Sequence, residues 1–301
     1  GVRVTALMTR IYKFEQLLSE DGWLSPGFVE IDSGGYILSI SNVGNNADET
    51  FNGVCLPGLP NLHSHAFQRA MAGLTEIGGS GENNFWTWQK VMYDFLGKLD
   101  PEDLEAIAAQ LYMEMLKGGY TAVAEFHYLH HDKNGDPYDN PAEMSAGIIA
   151  SALETGISLT LLPVLYGHGG FGSAPPLKGQ KRFLHSVDQF GRLLDGLSSN
   201  YGDLGCIELG FALHSLRAVS PEMLDEAVSL VQEGPIHIHI SEQLREVQQC
   251  VDWSGKRPVE WLLDHSDLNE RWCLIHATHM TEEEIAAFAI TGAVAGLCPT
   301  T

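Results

Sequence analysis

The sequence has 301 residues, of which 44% are hydrophobic and 19% charged, proportions typical of a folded globular protein. Its length suits one large barrel domain or two ordinary domains. The 39 acidic and 17 basic residues give a formal net charge of −22, which argues against a nucleic acid or an anionic membrane surface as partner.

The first 53 residues are interpreted as a small β subdomain. Short strand-like runs alternate there with turn motifs such as Glu-Asp-Gly, Ser-Gly-Gly and Asn-Asn. The predicted strands are Tyr12–Leu17, Gly27–Ile31 and Tyr36–Ser41.

Residues 54–301 alternate between strand-like and helical patterns. The predicted strands are Val54–Leu56, Thr121–Phe126, Ser158–Leu165, Glu208–Leu213, Ile236–Ile240, Trp272–Ile275 and Ala293–Cys298. The predicted helices are Pro101–Lys117, Pro141–Glu154, Arg182–Leu197, Pro221–Gln232, Leu244–Asp264 and Glu282–Ala287. Asp100 and Ser220 each precede a proline and an acid, the pattern of an N-cap.

This alternation predicts an α/β fold in which helices cover a parallel sheet. Seven strands suit a TIM-type (β/α) barrel better than an open sheet. In such a barrel the catalytic residues stand at the carboxyl ends of the strands.

Histidines recur at these predicted strand ends. The segment Pro57-Gly58-Leu59-Pro60-Asn61-Leu62-His63-Ser64-His65 follows the first strand. In an extended segment, residues two apart face the same side, so His63 and His65 are predicted to present two imidazoles to one ion. Neutral imidazoles suit zinc, iron or nickel.

A second pair lies in the fifth barrel strand. His237 and His239 also share a face, and either is a candidate for the third ligand. Glu242, just past the strand, is placed to shuttle a proton between water and a leaving nitrogen. His276 ends the next strand and is interpreted as a base or as a group that polarises the attacked carbon.

A glycine-rich segment, Gly167–Gly172, fits G-x-G-x-x-G literally. It is followed by Ser-Ala-Pro-Pro rather than by a helix, whereas a dinucleotide site needs a helix N-terminus there. We therefore interpret it as a flexible loop that covers a substrate.

At these residues the sequence resembles the amidohydrolase superfamily, and within it the formiminoglutamate deiminases (N-formimino-L-glutamate iminohydrolases). The segments that carry the resemblance are LPNLHSHAFQRAMAGLTE, NNFWTWQKVMY, AEFHYLHH, YGHGGFGSAPPLKGQKRF, LHSLRAV, HIHISEQ and LIHATHM. They extend over most of the chain from Leu56 onward.

The resemblance implies a role for each candidate residue. His63, His65 and His239 would bind one zinc ion, with Fe²⁺ as the other candidate metal, and Glu242 and His276 would be the catalytic acid and base. The residues that match the family's substrate contacts are Gln68, Tyr128, His214 and Arg217. Arg217 offers a planar fork to a carboxylate, which would help an anionic substrate to bind an acidic protein.

The chain departs from the family pattern at two places. Gln89 stands where the family has an arginine, which leaves the exact substrate open. A complete member continues through an eighth strand that carries an aspartate ligand, so we expect a barrel that is incomplete at its C-terminus.

The predicted reaction is hydrolysis of the formimino C–N bond. Zinc would lower the pKa of a bound water to roughly 7, and water would attack the formimino carbon. The products would be N-formyl-L-glutamate and ammonia, or, in another branch of the family, formamide and glutamate. The alternatives are another deaminase, acting on a nucleobase or another amidine, and an inactive metal-binding fragment.

Composition also predicts the surroundings of the protein. The five cysteines are odd in number and contain no C-x-x-C pair, and no signal peptide or membrane helix is recognised, which together indicate reduced thiols in the cytoplasm. We expect a homodimer that acts on an anionic small molecule, without a nucleic-acid or membrane partner.

Overall fold

The structure is a computed structural model that describes residues 9–44, 46–74 and 85–299, except for the side chains of residues 85–90. Its contacts divide the chain into two compact units, Gly1–Leu59 and Pro60–Thr301. The division falls six residues after the boundary expected from the sequence. Over the described ranges, no helix combines the length and apolar character that crossing a bilayer requires.

The N-terminal unit is a small β-sheet, as predicted. Its strands are β1 (Arg10–Ser19), β2 (Gly22–Leu24), β3 (Gly27–Ile31), β4 (Ile37–Ser41) and β5 (Glu49–Cys55). The long β1 pairs antiparallel with β2 and β3, and β4 extends the sheet beyond β3. On the other side, β5 pairs in parallel with β1.

This pairing corrects the first predicted barrel strand. Val54 and Cys55 belong to β5, where they pair with Gln16 and Leu17. The first strand of the barrel sheet begins only at Leu59. A short apolar run does not reveal its partner strand, which explains the error.

The second unit contains the predicted barrel sheet. Its strands are β6 (Leu59–Ser64), β7 (Tyr120–His127), β8 (Ser158–Leu165), β9 (Ile207–Leu209), β10 (Phe211–Ser215), β11 (Ile236–Ile240), β12 (Trp272–His276) and β13 (Val294–Gly296). They follow one another in the order β6-β7-β8-β10-β11-β12-β13, with β9 also paired to β8. The pairs from β7 to β13 are parallel, so their carboxyl ends lie at one edge.

Helices connect these strands. They are α1 (Phe85–Leu96), α2 (Pro101–Lys117), α3 (Glu143–Thr155), α4 (Val187–Tyr201), α5 (Pro221–Leu230), α6 (Leu244–Ser254), α7 (Pro258–His265) and α8 (Glu282–Ala289). The two predicted N-caps are confirmed: the side chain of Asp100 accepts a hydrogen bond from the amide of Asp103, and that of Ser220 from the amide of Met223.

The structure divides two segments that the sequence analysis treated as continuous. The predicted helix Leu244–Asp264 is two helices, because Gly255 adopts φ = +77° after α6 and Pro258 opens α7. The predicted strand Glu208–Leu213 is split at Gly210, where a Cβ atom would collide with the carbonyl oxygen of Pro235.

The helices differ from the prediction at two further places. Helix α4 begins after its N-cap Ser186, so Arg182 lies outside the helix. Helix α1 was not predicted at all.

Candidate metal centre and active site

A cavity of about 860 Å³ lies at the carboxyl ends of the barrel strands. Nine candidate site residues from the sequence analysis line it. These are His63, His65, Gln68, Tyr128, His214, Arg217, His239, Glu242 and His276. They come from five different strands or the turns that follow them, so the barrel brings together residues that are up to 213 positions apart.

Three imidazoles form the tightest group in the cavity. The Nε2 atoms of His63 and His239 are 3.1 Å apart. One ring nitrogen from each of His63, His239 and His276 lies within 4.8 Å of the others. The ring of His65 is adjacent, with its centroid 4.5 Å from that of His63 and 5.3 Å from that of His239.

Main-chain carbonyls orient two of these rings. The Nδ1 atom of His65 is 2.9 Å from the carbonyl oxygen of Phe126, and the Nδ1 atom of His239 is 3.0 Å from that of His214. A carbonyl can only accept, so each neutral ring carries its proton on Nδ1. The Nε2 lone pairs of His65 and His239 are therefore free to bind a metal.

Burial keeps these imidazoles neutral. It lowers the pKa of His65 to about 4, and it also lowers the pKa values of His63 and His239, with neighbouring histidines adding to the effect. The Nδ1 of His63 is buried and has no hydrogen-bond partner among the described residues. With the proton of His63 on Nδ1, the Nε2 lone pairs of His63 and His239 face each other 3.1 Å apart and would both bind one cation, so these residues fit a zinc or iron ion.

The structure separates the two candidates for the third ligand. His239 lines the cavity, whereas His237 does not, although both are buried in β11. His276, which the sequence analysis interpreted as a base or polarising group rather than a ligand, brings a ring nitrogen within 4.8 Å of nitrogens of His63 and His239.

His276 also faces the predicted acid. Its Nε2 lies 3.8 Å from Oε1 of Glu242. Burial lowers the pKa of His276 to about 4 and raises the pKa of Glu242, with Arg217 opposing the second effect. Near pH 7 the pair therefore contains a neutral imidazole that can accept a proton and a carboxyl group with increased proton affinity.

Left-handed backbone bends aim this pair into the cavity. Ser241, His276 and Ala277 have φ values of +51°, +72° and +47°, which are costly for residues other than glycine. The ends of β11 and β12 hold each other in these bends, because the amide of Ala277 donates to Ile240 and that of His279 donates to Ser241, both at 3.0 Å. Such strain is characteristic of functional sites.

The candidate substrate-binding residues surround the cluster of histidines. Gln68 donates a hydrogen bond to the hydroxyl of Tyr128 over 3.4 Å, and His214 lies 3.1 Å from the hydroxyl of Ser215. The Nε atom of Arg217 is buried without a hydrogen-bond partner in the described part of the chain, so it can donate to a ligand. The side chain of Gln89 lies outside the described residues.

Sequence reasoning missed the wall of the cavity that α6 provides. Arg245, Gln249, Asp252 and Trp253 all line the cavity at helical spacing. Within the segment Gly167–Gly172, which was interpreted as a substrate-covering loop, Gly169, Gly170 and Phe171 line it too. The ring of Phe171 stacks on Trp253 with centroids 5.4 Å apart and joins the two walls.

The family model "Amidohydrolase family" matches residues 54–300. The chain is 48% identical over 289 residues to formimidoylglutamate deiminase of Pseudomonas aeruginosa, which covers 95% of the chain and 64% of that protein. The chain therefore spans slightly less than two thirds of the length of this curated relative.

Solved structures give the same picture of the fold. An amidohydrolase from Brucella melitensis superposes with a TM-score of 0.92 at 48% identity, covering 97% of this chain and 65% of the other. An adenosine deaminase from Xanthomonas campestris, solved with bound zinc, has a TM-score of 0.76 at 20% identity, covering 96% of this chain and 62% of the other. At that identity only the fold is shared.

Proposed function

This chain belongs to the amidohydrolase family, and from that premise we propose that it hydrolyses N-formimino-L-glutamate to N-formyl-L-glutamate and ammonia. The observation that carries the proposal is the convergence of neutral imidazoles with the pair Glu242 and His276 in one cavity. The 48% identity to formimidoylglutamate deiminase supports this substrate.

We assign His63, His65 and His239 as the residues that hold one zinc ion. The carbonyl contacts of His65 and His239 support this set, because they leave Nε2 free in both rings. A ring nitrogen of His276 also lies within 4.8 Å of nitrogens of His63 and His239, but its Nε2 faces Glu242, which supports a role in proton transfer. When bound, zinc supplies Lewis acidity that makes water easier to deprotonate.

The protein residues then move the protons. His276, neutral near pH 7, accepts a proton from the attacking water at Nε2. Water oxygen adds to the formimino carbon, and the bond from that carbon to the terminal nitrogen breaks. The terminal nitrogen gains two protons: Glu242 delivers one, and the proton that remains on the added hydroxyl passes through the Glu242 carboxylate as the carbon becomes a formyl group, so the nitrogen leaves as ammonia. The proton held by His276 then returns to Glu242, 3.8 Å away.

The remaining residues match the charges of the substrate. Among the described residues that line the cavity, Arg217 and Arg245 are cationic, and N-formimino-L-glutamate carries two carboxylates. Tyr128 and His214 add hydrogen-bond donors beside Arg217. These local groups counter the repulsion that a net charge of −22 exerts on an anion.

The test is to incubate the zinc-loaded protein with N-formimino-L-glutamate and to quantify ammonia and N-formyl-L-glutamate. We expect equal amounts of both. Formamide with glutamate would instead indicate the other branch, and ammonia released only from adenosine or another amidine would identify a different deaminase. Glu242→Gln is the matched control: it should retain zinc and lose about 10²- to 10⁴-fold in kcat.

The setting of the reaction is part of the proposal. All five cysteines are free thiols, which suits a reducing compartment, and we propose the cytoplasm. The homodimer stays a prediction that size-exclusion chromatography with light scattering can test.

A further inference from the structure

Glu125 is a buried acid close to the cluster of histidines that is proposed to bind the metal ion. It lies in β7 and is 1% exposed, and it is outside the residues that line the cavity. The next residue, Phe126, contacts the cluster with its ring, 4.1 Å between centroids from His239. Since adjacent strand residues face opposite sides, Glu125 points away from the cavity, towards Tyr112 of α2.

The carboxylate of Glu125 holds the chain on both sides of His65. Its Oε1 accepts a hydrogen bond from the amide of Ala66 at 2.6 Å. The carboxyl group also accepts a hydrogen bond from the side chain of Ser64. Its Oε2 accepts a hydrogen bond from the hydroxyl of Tyr112 at 3.2 Å. His65, between two of these donors, is therefore restrained through its own main chain.

The ring of His65 is restrained by the neighbouring residue of the same strand. The carbonyl of Phe126 accepts the Nδ1 proton of that ring at 2.9 Å. Two consecutive residues of β7 thus orient His65, Glu125 through the backbone and Phe126 through the imidazole. A one-residue shift between β6 and β7 would break both restraints together.

Burying a carboxylate in order to hold a turn is energetically unfavourable. Desolvation costs several kcal/mol, and burial raises the pKa of Glu125 to about 7. The hydrogen-bonding partners are an amide and two hydroxyls, all uncharged. An apolar residue would fill the same volume at lower cost, so the acceptor atoms must serve a purpose beyond packing.

We propose that Glu125 is a positioning residue for the metal centre, which directs the Nε2 atom of His65 into the cavity by bonding to residues 64 and 66. The inference rests on the proposed function, because it assumes that His65 binds a metal ion. Glu125 would then influence metal binding without contacting the metal ion.

The test measures zinc affinity by competition with a chromophoric chelator. Glu125→Met keeps the volume but removes both acceptors, and we expect a 10- to 100-fold weaker affinity. Glu125→Gln keeps one oxygen for the Ala66 amide and should restore most of it. The control Tyr112→Phe removes a donor to the same carboxylate but leaves residues 64–66 held, so zinc affinity should stay within about twofold.

Cobalt substitution adds a spectroscopic readout. The visible d–d absorption of the Co²⁺ protein should change in Glu125→Met and be unchanged in Tyr112→Phe. If Glu125→Met does not fold, Glu125→Asp, whose carboxylate is too short to reach Ala66, must show the loss of affinity.

Wild-type zinc affinity in a folded Glu125→Met or Glu125→Asp protein would overturn the inference alone. Equal losses in Glu125→Met and Tyr112→Phe would also overturn it, since they would indicate general destabilisation. If the wild-type protein binds no zinc, the proposed function fails together with the inference.

Discussion

Two groups of histidines lie near each other in the barrel, one half-buried or buried and one fully buried, and they differ in what their nitrogens face. The cavity group consists of His63, His65, His214, His239 and His276, which all line the cavity. The interior group consists of His127, His130, His131 and His185, which are buried and do not line it. Burial lowers the pKa of His239 in the cavity group and the pKa values of His127 and His185 in the interior group.

Two members of the interior group are turned towards main-chain carbonyls. The Nε2 atoms of His130 and His131 lie 3.2 Å and 2.6 Å from the carbonyl oxygens of Val164 and Leu184. Only the cavity group brings three ring nitrogens within 4.8 Å of one another in the described part of the chain. Burial and a lowered pKa therefore do not identify a metal site, whereas convergence of nitrogens on an accessible cavity does.

The largest difference should appear in zinc content. His239→Asn should lose stoichiometric zinc and reduce kcat on the order of 10³-fold or more, since a metal contributes several kcal/mol to the barrier. His130→Asn should retain zinc and activity while losing about 1–3 kcal/mol of stability. Elemental analysis with steady-state kinetics measures both.

His276→Asn refines this experiment. We expect it to keep zinc and to lose kcat, because His276 is assigned to proton transfer. Loss of zinc in this variant, together with retention of zinc in His65→Asn, would indicate that His276 binds the metal and that His65 does not. Zinc loss in His130→Asn would contradict the distinction between the groups.

Each group of histidines has an arginine beside it, and substituting these two arginines should have effects of intermediate size. Arg217 lines the cavity, and Arg217→Met should raise KM for N-formimino-L-glutamate about 10- to 100-fold, the value of a charged hydrogen bond. Arg182 instead donates to the carbonyls of His131, Leu96 and Leu99.

Arg182→Met should therefore lower stability by about 2–4 kcal/mol, because three buried carbonyls lose their donor. Its KM should change less than that of Arg217→Met. Thermal unfolding and KM measured on both variants provide the comparison, and a larger KM change in Arg182→Met would place the interior group in the site.

The smallest effect concerns acid sensitivity. His185 has a pKa of about 3 when folded and 6.5 when unfolded, so the unfolded chain binds the additional proton and stability falls as the pH drops below 6.5. Between pH 6.5 and pH 5 this amounts to roughly 1.5–2 kcal/mol for one residue.

His185→Gln should lose correspondingly less stability over that interval. Urea unfolding at the two pH values, without metal and with excess zinc, measures the difference. Because His185 is in the interior group, zinc should not alter it. A pH dependence that zinc removes would show that the two groups are coupled.

Much of the site was predictable because its residues follow strands. The H-x-H segment, Glu242 and His276 could be placed from periodicity and barrel geometry, whereas the choice of His239 over His237 came from the family resemblance. Residues that act across elements were not predictable in the same way. Glu125 was visible only as a single acid in the apolar run Thr121–Phe126, and its partners lie 13 and 59 positions away in the sequence.

The fold was predictable to the level of element type, and its errors were local. Gly255 followed by Pro258 was a sufficient signal for the break between α6 and α7. The spacing of Arg245, Gln249 and Trp253 would then have indicated a helix face next to Glu242. By contrast, the assignment of Val54 to β5 depends on pairing with β1, which no local pattern specifies.

The separation of α6 from α7 has an evolutionary consequence. Helix α6 has its own C-terminal turn at Gly255, and the carboxylate of Glu246 in its first turn accepts hydrogen bonds from the amides of Ser241 and Glu242, so the helix is fixed to the end of β11 rather than continuous with α7. A lineage can exchange Arg245, Gln249 or Trp253 singly and thereby alter which molecules are admitted, while the hydrolytic chemistry is inherited unchanged.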